Sequence, residues 1–237
     1  MKTILSRLAG SVLDLLLPPS CAVCNSEGGF LCQGCESELP RLRAPYCNIC
    51  SDPGPRGICR WCATSPPAVD GIRAPYLMEN GARDMVYSLK YRNLRALAPE
   101  LGRLLAEYLE STPIASDVLM PVPLHPRRER ERGYNQSVHL ARELGRRTGL
   151  AIDTQTLRRT RNTPPQVSIN GHEECRSNTD SAFECISSVD GSRVLLLDDV
   201  VTTGSTMAAC ARALKDAGAR SVWGLALARQ GSGQDPR

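Results

Sequence analysis

Residues 194–206 read VLLLDDVVTTGST, and few folds can use such a stretch. An unbroken aliphatic run, Val194 to Leu197, suits a strand covered on both faces, as in a parallel sheet. It stops on two adjacent acids, Asp198 and Asp199. Val200 and Val201 follow, then Thr202, Thr203, Gly204, Ser205 and Thr206. From Ser205 onward, STMAACARALKDAG sets Ala208, Ala211 and Leu214 at helical spacing and closes on Gly218. SVWGLALA, 221–228, is the returning strand. Strand, tight turn, helix and strand make a βαβ unit, so this part of the chain is expected to be α/β. Upstream, DGIRAPYLM reads as an early strand, with helices near 81–90 and 96–110. A strand over Asp117–Pro123 and a helix over 135–148 follow.

The turn has its own chemistry. In such sheets, ligands bind beyond the carboxyl ends of the strands. A helix N-terminus presents amides and the positive end of a dipole to an anion, and Gly204 permits close approach. The hydroxyls of Thr202, Thr203, Ser205 and Thr206 complete a cradle for a phosphate monoester. The acids one step earlier would meet the vicinal hydroxyls of an attached sugar, or a divalent metal. Together these describe a ribose 5-phosphate site. An ordinary capped helix would need only one of those hydroxyls.

The other end of the chain is a different material. Eight of the eleven cysteines form four C-x-x-C units: Cys21/Cys24, Cys32/Cys35, Cys47/Cys50 and Cys59/Cys62. Two intervening residues let both sulfurs reach one ion, and soft thiolates favour zinc in a structural, all-sulfur site. Consecutive, interleaved and nested pairings are all compatible with the spacing; consecutive pairing closes the shortest loops. Cys175, Cys185 and Cys210 read as small buried or semi-buried fillers. At the start, Arg7 and Asp14 interrupt the apolar residues, and nothing reaches a membrane span of about 20 residues. Ile4, Leu8, Val12, Leu15 and Leu16 instead follow a helical stripe closed by Pro18 and Pro19. A short amphipathic helix is expected, in a cytoplasmic chain with reduced thiols.

At 237 residues the chain has room for one α/β domain and a small appendage. Aromatics are only 4%, so the core must be aliphatic. The formal charge of +4 permits binding to phosphates or nucleic acid without demanding it. Lysine occurs only at 2, 90 and 215; the remaining cations are arginine.

VLLLDDVVTTGST resembles the phosphoribosyl pyrophosphate (PRPP) signature of type I phosphoribosyltransferases at every diagnostic position. LLLPPSCAVC with its paired cysteines, LKYRN (89–93), MPVPLHPRRERERGYNQ (120–136), LRRTRNTPPQ (157–166) and RSNTDSAF (176–183) together resemble the ComF/GntX family. Asn93 stands where that family usually has Gly. The resemblance implies a type I phosphoribosyltransferase fold, a parallel sheet flanked by helices, with a small N-terminal Cys-rich double zinc-ribbon module. The module is expected at 1–64 and the phosphoribosyltransferase domain at 65–230. TSPPAVD (64–70) reads as the linker between them, and 231–237 as a disordered tail. By the same resemblance, Asp198 and Asp199 hold ribose hydroxyls or Mg²⁺, and the stretch Val200, Val201, Thr202, Thr203, Gly204, Ser205 and Thr206 binds PRPP. A mobile loop, HPRRERERGYNQ, closes on the pyrophosphate through Arg132, Tyr134, Asn135 and Gln136, with Arg132 joining the acids in catalysis. Asn135 also reads as a helix N-cap. His125 and His139 are acid–base candidates by residue type only.

The expected cofactors are structural Zn²⁺ and Mg²⁺ with PRPP. The expected reaction is displacement of pyrophosphate by a nitrogen acceptor. Two alternatives stand beside it: a non-catalytic PRPP or nucleotide binder, and a competence factor handling single-stranded DNA or meeting DNA-uptake proteins. For the latter, Trp61, Tyr46 and Phe30 are the stacking candidates, though they also read as the small core of the zinc module.

Overall fold

The computed structural model describes residues 18–54, 56–92, 94–161 and 182–231. The expected N-terminal helix, Asn93, Cys175, the stretch 162–181 and the tail from 232 lie outside the described residues.

The cysteine-rich part contributes two short helices, α1 (Gln33–Ser37) and α2 (Arg60–Thr64), capped by the sulfurs of Cys32 and Cys59. Then come β1 (Gly71–Arg73), β2 (Tyr76–Leu77), α3 (Asn80–Tyr91), a 3₁₀ turn (Arg95–Leu97) and α4 (Ala98–Ser111). β3 (Val118–Pro121), α5 (Pro126–Arg132), α6 (Gln136–Thr148), β4 (Ala151–Ile152) and β5 (Leu157–Arg159) follow. β6 (Phe183–Cys185), β7 (Arg193–Val201), α7 (Ser205–Asp216) and β8 (Ser221–Arg229) complete the described chain. The main sheet runs β1-β8-β7-β3-β4, with β2 continuing along β8 beyond β1, and every pair in it is parallel. β5 and β6 form a separate antiparallel ribbon.

β7 shows why the interior is aliphatic. Successive strand residues face opposite sides, so Leu195 and Leu197 pack under α3, α4 and α6, while Val194 and Leu196 pack under α7. Three expectations are corrected. The strand does not end at Leu197; β8 pairs with it through Asp198↔Ala226 to Val201↔Arg229, so both acids lie inside β7. The early strand over 70–78 breaks into β1 and β2 around Ala74 and Pro75, because proline has no amide for the ladder. TSPPAVD is not a free tether: Val69 is buried in the core, and the Asp70 carboxylate accepts from the Val222 amide (2.6 Å) and pairs with Lys215 (2.6 Å).

The two halves of the cysteine-rich part sit in different places. Ala22, Leu39, Val23, Phe30 and Leu31 join the core on the helical side, and Arg103 pairs with Glu36. The second half docks on the edge of β1, where Ile72 N donates to the Ile49 carbonyl (2.6 Å) and Ser51 Oγ donates to the Ile72 carbonyl (2.6 Å). Phe30 therefore serves the main core rather than a separate one. No described helix is long and apolar enough to cross a membrane.

Candidate functional site

The chain leaves β3 toward β4 and β7 toward β8, in opposite lateral directions. Between β3 and β7 lies the switch point, where an open parallel sheet has its natural crevice. Both α6 and α7 begin at this end, so two helix N-termini converge there. The first amides of any helix lack intrahelical acceptors and favour anions.

After β7 the chain turns through Thr202 and Thr203 into Gly204, whose φ of 80° is a left-handed value that glycine adopts without strain. Thr203 Oγ1 lies 2.9 Å from Ser205 Oγ and accepts from the Ser205 amide (3.3 Å). Thr202 and Thr206 are partly exposed at the same turn.

The two acids differ. Asp199 is 2% exposed and meets Lys90 Nζ, from α3, at 2.9 Å. Burial opposes the charge on Lys90, but Asp199, with Asp198 behind it, more than compensates and holds the ammonium above the ordinary lysine range. Asp198 accepts from Ser137 Oγ (2.9 Å), in the first turn of α6, and from the Asp199 amide (2.9 Å). Its carboxyl is pushed up to about 7, first by burial and then by the neighbouring Asp199; Lys90 and Ser137 oppose the rise.

The remaining expected contacts are arranged differently. HPRRERERGYNQ is not an open loop. Pro126 to Arg132 form α5, capped by His125 Nδ1 accepting from Arg127 N (3.2 Å), tied by an Arg127–Glu131 pair (2.9 Å), and ended by Gly133 at φ 83°. Proline at the first turn, an i,i+4 pair and a terminal glycine are helix signals that a charge-run reading passes over. Tyr134, Asn135 and Gln136 are buried. The Tyr134 hydroxyl donates to the Leu89 carbonyl, and Asn135 Nδ2 donates to the Val122 carbonyl (3.0 Å). Asn135 Oδ1 caps α6 through Ser137 N (2.9 Å). Gln136 Oε1 accepts from Arg132 Nη1, and that guanidinium lies 5.6 Å from the Tyr91 ring. Of this group, Arg132 is the half-exposed member; Tyr134 ties the α5–α6 junction to α3, and Asn135 ties it to the end of β3. His139 lies against the Tyr134 ring, within α6.

Three residues of the site were not among the candidates: Lys90, Ser137 and Arg159. Arg159, on β5, stacks over Phe183 and lies within the field of Asp198; burial and then Arg128 pull its guanidinium below the ordinary range. Lys90 had a signal, being one of three lysines in a chain that otherwise uses arginine.

The cysteines resolve into consecutive pairs: Cys21, Cys24, Cys32 and Cys35 in one cluster, Cys47, Cys50, Cys59 and Cys62 in the other, all sulfurs of each within 4.8 Å. Zn–S bonds of about 2.3 Å imply tetrahedral edges of about 3.8 Å. Cys24–Cys32 at 3.7 Å and Cys50–Cys59 at 3.8 Å fit that geometry, and with four thiolates per site they suit structural zinc. Cys210 is buried and Cys185 half-buried, both within the expected range for fillers, and Cys185 donates to the Ser187 carbonyl (3.1 Å).

The phosphoribosyl transferase domain family matches residues 90–237, and the double zinc ribbon domain matches 12–66. DNA utilization protein YhgH of Salmonella typhi is 32% identical over 227 residues, covering 91% of this chain and 99% of that protein. Competence protein F of Haemophilus influenzae is 28% identical over 210 residues, covering 84% and 90%. Competence protein ComFC of Bacillus subtilis is 26% identical over 218 residues, covering 84% of each. The chain thus belongs to the phosphoribosyl transferase domain family, among its ComF-type members with a double zinc ribbon.

Proposed function

We propose that this protein binds PRPP, or a related ribose 5-phosphate, where β3 and β7 end, and transfers the phosphoribosyl group to a nitrogen acceptor. One observation carries the proposal: β7, turn and α7 run without interruption, setting two carboxylates a step before a glycine-kinked helix N-terminus. Thr202 to Thr206 take the 5-phosphate, and the acids take the ribose hydroxyls. Asp198 would hold Mg²⁺ beside the ligand, since Asp199 already carries Lys90; the ion's chemistry there is to neutralise charge on the pyrophosphate. Lys90, Arg132 and Arg159 face the charge that develops as the bond from C1 to pyrophosphate breaks and the acceptor nitrogen bonds to C1. The acceptor supplies the nucleophile, so the protein's part is positioning and electrostatics. The cytoplasm, where thiols stay reduced, is the setting we assign.

Calorimetric titration of PRPP with Mg²⁺ into zinc-loaded protein, beside the Asp198→Asn/Asp199→Asn variant, tests this. Saturable binding that the variant loses is expected; equal behaviour of both proteins refutes the pocket.

A second reading, in which the same face handles single-stranded DNA, is favoured by a surface feature near the acids. Tyr87 and Tyr91 are exposed on α3 with ring centroids 5.0 Å apart, flanked by Arg92 and Arg132. Aromatic faces beside cations suit stacked bases and phosphates. These tyrosines serve that role better than Phe30, which is engaged in the core. Loss of oligonucleotide binding in a Tyr87→Ala/Tyr91→Ala variant, with PRPP binding intact, would separate this reading from the first.

A further inference from the structure

We infer that the second cysteine cluster positions the 202–206 loop, acting through Arg229, so that zinc held by Cys47, Cys50, Cys59 and Cys62 and a phosphate held by the loop strengthen one another. The inference rests on the ribose-phosphate reading above.

Two routes join the cluster to the loop. In the first, Asp52, two residues past Cys50, accepts from Arg229 Nη2 (3.2 Å), while Arg229 Nη1 donates to the Val201 carbonyl (3.3 Å). Val201 is the last residue of β7, so this contact fixes the point from which the loop departs. In the second, the Cys47–Cys50 knuckle holds Ile72 through the Ile49 carbonyl and Ser51 Oγ. The Ile72 side chain lies beneath Gly204, where an added Cβ would come within 3.1 Å of its Cδ1. Cys50, Trp61 and Cys62 also line one cleft with Thr203, Gly204 and Ser205.

Arg229 is 3% exposed. A guanidinium that deep is tolerated only while its partners stay in place. Asp52 is such a partner, and its position is set by a knuckle whose local core is little more than its own cysteines and Ile49. So small a core depends on its metal. Losing that zinc releases Asp52, strands Arg229 and withdraws a donor from Val201. The first cluster packs on the helical side through Ala22 and Leu39, away from the loop, and supplies an internal control.

Coupling of this kind is reciprocal, so it can be read from the zinc. Full-length, zinc-loaded protein is equilibrated with a chromogenic chelator, with and without saturating ribose 5-phosphate; ribose 5-phosphate affinity is measured separately by calorimetry. The ligand is expected to raise the retention of one of the two zinc equivalents about tenfold, within the usual range of coupling free energies. The other equivalent, held by the first cluster, is retained equally with and without the ligand. Arg229→Gln keeps its second-cluster zinc, loses the protection and binds ribose 5-phosphate about tenfold more weakly. Asp52→Asn breaks the same ion pair from its more exposed side and gives the same result should Arg229→Gln fail to fold. Ligand binding without selective protection, or full protection in both variants, overturns the inference alone. Failure of the wild type to bind ribose 5-phosphate overturns the reading beneath it, and the inference with it.

Discussion

Replacing Lys90 by methionine keeps an unbranched apolar stem and deletes the charge that faces Asp199 at 2.9 Å. Removing one partner from a buried ion pair typically costs about 3–5 kcal/mol. The Lys90 side chain is 22% exposed, so water takes over part of its role and the lower end applies. Chemistry sets an independent ceiling. A stranded carboxylate can take up a proton, which for an ordinary carboxylic acid costs about 1.4 kcal/mol for each pH unit above about 4. The ceiling is therefore about 4 kcal/mol at pH 7 and about 1–2 kcal/mol at pH 5. Lys90→Met should lose about 3 kcal/mol at pH 7, within both limits, and much less at pH 5. Urea unfolding at the two pH values measures this. Adding Asp199→Asn removes the stranded charge, so the double variant should be more stable at pH 7 than Lys90→Met alone. An equal loss at both pH values, or no recovery in the double variant, would refute the claim that this ion pair holds α3 against β7.

Asp198 gives a pH signature of the opposite kind. Its carboxyl is raised to about 7, so the folded state holds that proton more tightly than the unfolded chain; stability favours acid and declines as pH rises from the unfolded value through about 7. Asp198→Asn should therefore be more stable than wild type at pH 8 while losing ligand affinity, checked by thermal unfolding and calorimetry on the same samples. In the wild type, ligand binding through the charged carboxylate should strengthen as pH rises through about 7 and release protons, seen by calorimetry in buffers of different ionisation enthalpy. Gly204→Ala forces a side chain into a left-handed backbone position at a cost of about 1–2 kcal/mol; because Ile72 blocks relaxation there, PRPP affinity should fall with it, and unchanged affinity would show that the turn does not shape the cradle. Stripping both zinc equivalents should open the cysteine-rich segment to proteolysis while the sheet stays protected, as followed by mass spectrometry of the fragments.

Much of this architecture was legible because it is local. Val194 to Leu197, the helix from Ser205 and the strand from Ser221 announce themselves through periodicity, and the C-x-x-C knuckles through spacing. What stayed hidden depends on distant partners. The length of β7 is decided by β8, which pairs past the acids to Val201. Tyr134 and Asn135 look like exposed loop residues until the Leu89 and Val122 carbonyls are placed beside them. No spacing rule connects Lys90 to Asp199, or Arg229 to Asp52; those pairs exist only once the sheet order is known.

The two adjacent acids, alike in the sequence, become unlike for the same reason. Neighbours on a strand face opposite sides of the sheet, and the layers on those sides carry different chemistry. Asp199 follows Leu195 and Leu197 toward α3, where Lys90 meets it. Asp198 lies nearer α7 and β5, within the field of Arg159 and Cys210, with a hydroxyl from Ser137 as its neutral donor. One acid is thereby committed to a protein cation. The other is poised to give up its proton near neutral pH, which costs the folded protein stability until a ligand or cation repays it. The division assigns Asp199 to fixing α3 over the site and Asp198 to meeting what binds there. Asp198→Asn should thus abolish ligand binding in a protein that still folds well, whereas Asp199→Asn should weaken binding chiefly by releasing Lys90.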